Sequence, residues 1–63
     1  MYTLKKVMEM LNVGTDIYCV LYRTDRYIGE GWLSDLELDP NTKIEIYRLA
    51  SDDEGEYLVL HLV

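Results

Sequence analysis

Hydrophobic residues recur along this chain with two different periods, one typical of a helix and the other of strands. Near the amino terminus an apolar stripe follows the i, i+3, i+4, i+7 spacing of one helix face. Its members are Leu4, Val7, Met8 and Leu11. Thr3 directly precedes the stripe and is a residue type that caps helix amino termini, while Gly14 follows it as a stop signal. The pattern predicts a helix over Leu4–Leu11.

Beyond the helix, β-branched and aromatic residues alternate in short runs that are separated by turn sequences. The predicted strands cover residues 17–22, 27–33, 43–49 and 57–63. The predicted connections are a tight turn at 24–25, a loop at 34–38, a type I turn at 39–42 and a polar hairpin loop at 52–55.

These elements predict one α+β domain over residues 1–63. In it, one short amino-terminal helix packs on one face of a four-stranded, mainly antiparallel sheet, in the order α-β-β-β-β. A meander, with consecutive strands as neighbours, is the simplest topology.

Alternation within the strands divides their side chains between two faces. The first face is aliphatic apart from one thiol and is expected to pack against the helix stripe. It collects Ile17, Cys19, Leu21, Leu33, Ile44, Ile46, Leu58, Leu60 and Leu62. The second face is also apolar or aromatic, although a solvated face of an antiparallel sheet normally carries polar residues. It collects Tyr18, Val20, Tyr22, Ile28, Trp32, Tyr47, Tyr57, Val59 and His61, with Glu30 and Glu45 among them.

The second face is the first candidate binding surface. The chain contains six tyrosines, one tryptophan and no phenylalanine, and Tyr and Trp are enriched in protein interfaces. The predicted protein-binding residues are Tyr18, Tyr22, Trp32, Tyr47, Tyr57 and His61. We expect self-association, with a homodimer as the first form, or docking of another protein. Strand addition at an exposed edge of the terminal strand is a further route, and tyrosines lying flat on a solvated sheet are the plain alternative.

The charge of the chain suggests a second candidate surface. Twelve acidic residues oppose six basic ones, so the net charge is −6, which disfavours direct binding to nucleic acid or to an anionic membrane. The alternative hypothesis is an acidic inhibitor, or nucleic-acid mimic, that occupies a basic groove on a host protein. Its candidate residues are Asp35, Glu37, Asp39, Asp52, Asp53 and Glu54. Solubility alone also explains an excess of acid.

No pattern in the sequence predicts catalysis, a cofactor or a metal site. Cys19 is the only cysteine and His61 the only histidine, so neither a CxxC nor an HExxH pattern exists. Gly29-Glu30-Gly31 lacks the third glycine and the helix start of a phosphate loop. We therefore expect a protein that is not an enzyme. The lone cysteine and the lack of a signal-peptide pattern predict a cytoplasmic setting.

Three segments together resemble small uncharacterised proteins of phages and integrated elements in Firmicutes-type bacteria. They are the helix stripe, Gly14-Thr15-Asp16-Ile17, and Gly31-Trp32-Leu33-Ser34-Asp35-Leu36. The group commonly shows a helix, a Thr-x-Val-x-Ile-like strand and a Gly-x-Val-Ser-Asp-Leu-like step. The resemblance implies a bacterial or prophage protein with a helix followed by two β-hairpins, and it brings no catalytic residue.

Overall fold

The computed structural model describes residues 1–63 and shows an α+β fold, with five strands in one sheet and two short helices. The elements in chain order are β1 (Tyr2–Thr3), α1 (Leu4–Leu11), β2 (Tyr18–Arg23), β3 (Arg26–Trp32), α2 (Leu33–Leu36), β4 (Lys43–Asp52) and β5 (Gly55–Leu62). The α+β class and the bounds of the first helix agree with the sequence prediction. The two-residue strand β1 was not predicted, and α2 lies where a loop was expected.

Helix α1 begins where the sequence predicts because its first amides all find acceptors. The Thr3 hydroxyl accepts from the Lys6 amide at 3.2 Å. The amides of Leu4 and Lys5 donate to carbonyl oxygens in the turn at 39–42, at 2.8 and 2.9 Å. The first turn of the helix is therefore tied to the segment that leads into β4.

The same helix ends at Leu11 and is capped by Asn12, before the glycine that was expected to stop it. Asn12 adopts a left-handed conformation with φ of 54°, which asparagine tolerates better than most residues. The Val13 amide then donates to the Met8 carbonyl at 3.1 Å, so carbonyl groups at the end of the helix are satisfied. Gly14 lies beyond this cap.

The sheet has the strand order β1-β4-β5-β2-β3, and the predicted meander is wrong. Strands β2 and β5 are parallel, whereas the other three pairs are antiparallel, so the sheet is mixed. The terminal strand β5 is therefore paired on both sides and has no free edge for strand addition. Its three consecutive buried residues, Leu58, Val59 and Leu60, suit a central strand that has a neighbouring strand on each side.

A β-bulge in β4 changes which residues of that strand face the core. Ile44 pairs with Leu62, but Ile46 pairs with His61, which leaves Glu45 as an extra residue. From this point the alternation is reversed, so Ile46 points away from the helices and is 55% exposed. The positions predicted for Ile46 and Tyr47 are therefore wrong, because strict alternation assumes an unbroken strand.

The hydrophobic core lies between the sheet and the two helices. Its buried members are Leu4, Val7, Ile17, Cys19, Leu21, Leu33, Ile44, Leu58, Leu60 and Leu62. Apart from Ile46, every residue predicted for the aliphatic face is buried. Met8 and Leu11 of the helix stripe are partly buried against this cluster. Burial raises the pKa of the Cys19 thiol to about 11, so the thiol is protonated at neutral pH.

The bulge makes two isoleucines of the same strand differ in their importance for stability. We expect Ile44→Ala to lower the free energy of unfolding by about 2–4 kcal/mol, because it empties a fully buried site. Ile46→Ala is the matched control and is expected to cost less than about 1 kcal/mol, because its side chain is exposed. Urea denaturation of both variants measures the difference. Equal losses would show that β4 continues without a bulge.

Candidate functional site

The sheet surface that faces away from both helices, called the open face below, is the main candidate site. Strand pairing places the following side chains there: Tyr18, Val20, Tyr22, Tyr27, Glu30, Trp32, Ile46, Arg48, Ala50, Tyr57, Val59 and His61. Val59 is only 5% exposed although no helix packs over it, because it lies on the central strand among larger neighbours. By contrast, Trp32 is 51% exposed and Tyr27 is 56% exposed. Aromatic side chains thus stand around a low apolar centre.

Most of these side chains line a half-open depression of about 840 Å³, called the trough below. Its aromatic lining consists of Tyr18, Tyr22, Trp32, Tyr57 and His61, and Val20 of β2 and Val59 of β5 lie between them. Asp52 and Glu54 of the β4–β5 hairpin also line the trough. A contact surface with an apolar centre and polar residues around it is typical of protein interfaces.

The aromatic residues form paired contacts across the strands. Tyr18 and Trp32 meet edge to face, with ring centroids 5.5 Å apart and planes at 88°. Tyr22 lies against the Tyr27 ring at 6.1 Å and is stacked on the His61 ring at 5.0 Å. These geometries are among the favourable arrangements of aromatic pairs, and they restrict the orientation of the rings.

Glu30 is held between two tyrosines on the open face. The Tyr18 hydroxyl donates to one carboxylate oxygen at 2.6 Å, and the Tyr27 hydroxyl donates to the other at 2.7 Å. The two hydrogen bonds stabilise the ionised carboxylate and lower the pKa of Glu30. The same bonds favour the protonated tyrosines, so the pKa of Tyr27 is raised and that of Tyr18 is raised to about 12.

The structure brings together most of the residues that were predicted for the aromatic site. Of the six, only Tyr47 lies elsewhere: it pairs with Leu60 on the core side, and its ring contacts that of Tyr2 at 5.1 Å. The sequence prediction also missed the role of Tyr27, which a register shift in the β2–β3 pair places opposite Tyr22. Residues three apart lie on opposite faces of an unbroken strand, so the sequence did not indicate a contact between Tyr27 and Glu30.

The six predicted acidic residues do not form one surface. Asp52 and Glu54 line the trough, and Asp53 lies beside them in the hairpin turn. The remaining three, Asp35, Glu37 and Asp39, belong to α2 and the segment after it, and Glu37 lines a separate crevice beside α1. Two of these carboxylates accept hydrogen bonds from nearby backbone amides. Asp39 accepts from the Asn41 amide at 2.7 Å, and Asp52 accepts from the Glu54 amide at 2.9 Å.

The Glu30 contacts predict an alkaline loss of stability. Because the pKa of Tyr18 is raised in the folded chain, its hydrogen bond contributes fully from neutral pH up to pH 10 and is lost as the pH approaches 12. We expect Glu30→Gln to lower the pKa of Tyr18 and Tyr27 in a tyrosinate absorbance titration. Glu9→Gln on α1 is the control and should leave the titration unchanged. Identical curves for the wild type and both variants would contradict the hydrogen bonds.

Neither helix is long and apolar enough to cross a membrane. No group of three or more His, Cys, Asp or Glu side chains is placed to hold a metal ion. Comparisons of the chain with protein-family models, with curated proteins and with solved structures found no match.

Proposed function

We propose that this chain is a protein-interaction module and that the open face is its contact surface. The observation that carries the proposal is the trough, in which half-exposed Trp32 and other aromatic side chains surround buried Val59 on a face that no helix covers. Tryptophan and tyrosine are among the residue types that contribute most to protein binding. The two helices already cover the other face of the sheet, so the open face is the sheet surface on which a partner could bury further apolar area.

Because the core is small, burial of further apolar surface by a partner would add substantially to the stability of the chain. Only 11 of the 63 residues are buried, and a domain of this size has little surplus stability. A partner on the open face would remove Trp32 and the exposed Ile46 from water. Binding therefore supplies free energy that the isolated chain lacks.

Self-association is one form of this function, and the arrangement of the aromatic residues supports it. A second copy would place the same face against itself, which is how twofold symmetric dimers form. Charge opposes this contact, because each copy carries a net charge of −6. We therefore propose a weak homodimer that is strengthened by salt, since salt screens the repulsion between copies.

The positions of the carboxylates reduce the number of acidic residues that the alternative hypothesis, an acidic inhibitor, can use on the open face. Asp52 and Glu54 line the trough, so they are able to contact a partner that binds the open face. Asp35, Glu37 and Asp39 follow β3 outside the lining of the trough. An inhibitor that uses the hairpin acids together with the aromatic residues is therefore the form of this hypothesis that the geometry favours.

We expect the mass in solution to rise from the 7.4 kDa monomer towards a dimer as salt and protein concentration increase. Trp32→Asp and Tyr18→Asp should each raise the dimer dissociation constant at least about tenfold, because each places a charge in the contact. Met10→Asp is the matched control, as Met10 is 43% exposed on α1. Sedimentation equilibrium measures all four proteins. A strictly monomeric wild type, or an equal loss in Met10→Asp, would contradict self-association through the open face.

A further inference from the structure

We propose that the trough binds an arginine side chain from a basic segment of a partner protein. This inference rests on the proposed function, because it uses the open face as the contact surface, and it adds the chemistry of the partner. Three features of the trough carry it: the arrangement of the aromatic rings, the state of Glu30, and the balance of charge along the lining.

The aromatic rings offer a cation two surfaces that meet at a right angle. The Trp32 and Tyr18 planes are 88° apart, and half of the Trp32 surface is exposed. Tyr57 pairs with Tyr18 on the other side of β2 and also lines the trough. A guanidinium group is attracted to the face of an aromatic ring, and tryptophan is the strongest such partner.

Glu30 supplies a fixed negative charge next to these rings. Its two hydrogen bonds from Tyr18 and Tyr27 keep the carboxylate ionised and hold it in one orientation. Each carboxylate oxygen has a second lone pair, so the group can still accept from an incoming guanidinium. Arginine matches this arrangement better than lysine does, because its planar group can stack on an aromatic ring and donate to a carboxylate at the same time.

The charge along the trough selects a basic occupant over a second copy. The acidic residues in the lining are Glu30, Asp52, Glu54 and Glu56, and the one arginine is Arg48. Glu54 lines the same trough as Tyr18 and Trp32, so its carboxylate adds to the negative charge around these rings. A second copy brings the same excess of acid, and nucleic acid brings phosphates, so both meet repulsion where a basic segment meets attraction.

The test uses the full chain and a short peptide that carries three arginines, with the citrulline version of the same peptide as the uncharged control. Trp32 is the only tryptophan, so its fluorescence reports on the proposed site directly. We expect saturable binding of the arginine peptide that weakens with salt, and binding of the citrulline peptide at least about tenfold weaker. Equal binding of the two peptides would overturn the proposal.

Binding to variants of the chain distinguishes a specific arginine site from a general electrostatic attraction of the peptide to an acidic protein. Glu30→Gln and Glu54→Gln should each weaken binding of the arginine peptide about three- to tenfold, whereas Glu9→Gln on α1 should change it less than about twofold. An equal loss in all three variants would also overturn the site. If the peptide fails to bind while the wild type still dimerises through the open face, the arginine site is wrong and the proposed function stands. If neither contact forms, both are wrong.

Discussion

The parallel pairing of β2 with β5 is the constraint on which the rest of the structure depends. It inserts β5 between β4 and β2, so the strand with the most buried residues becomes the centre of the sheet. The covered face of β5 then supplies Leu58 and Leu60 to the core, and its other face supplies Tyr57, Val59 and His61 to the open face. A single strand thereby links stability on one side of the sheet to the proposed function on the other.

This pairing also requires the chain to cross the sheet after β3, and the crossing organises the helices. Helix α2 and the turn at 39–42 carry the chain from one edge strand to the far side of β5. The turn accepts hydrogen bonds from the first amides of α1, so the crossing segment also anchors that helix. Both helices consequently lie on the same side of the sheet, and the opposite side is left without a covering element.

The extent to which the sequence predicted this structure depends on whether a feature is local. The α1 bounds followed from Thr3 and the apolar stripe, and four strands followed from alternation, because neighbouring residues decide both. Strand order depends on contacts between residues that are distant in sequence, so the predicted meander was wrong. No residue type around Glu45 marks the bulge, so the face assigned to Tyr47 was also wrong. The aromatic site was mostly predictable because it needs only alternation. The hydrogen bonds to Glu30 were not, since they depend on the register between β2 and β3.

The most direct test of the central position of β5 is a nuclear Overhauser spectrum of the isotopically labelled chain. We expect contacts between the backbones of Cys19 and Leu58, and between those of Leu21 and Leu60, with the spacing of a parallel pair. We also expect β5 to contact β4 on its other side. Contacts between β3 and β4, with none between β2 and β5, would show a meander and would remove both the central strand and the open face that is built on it.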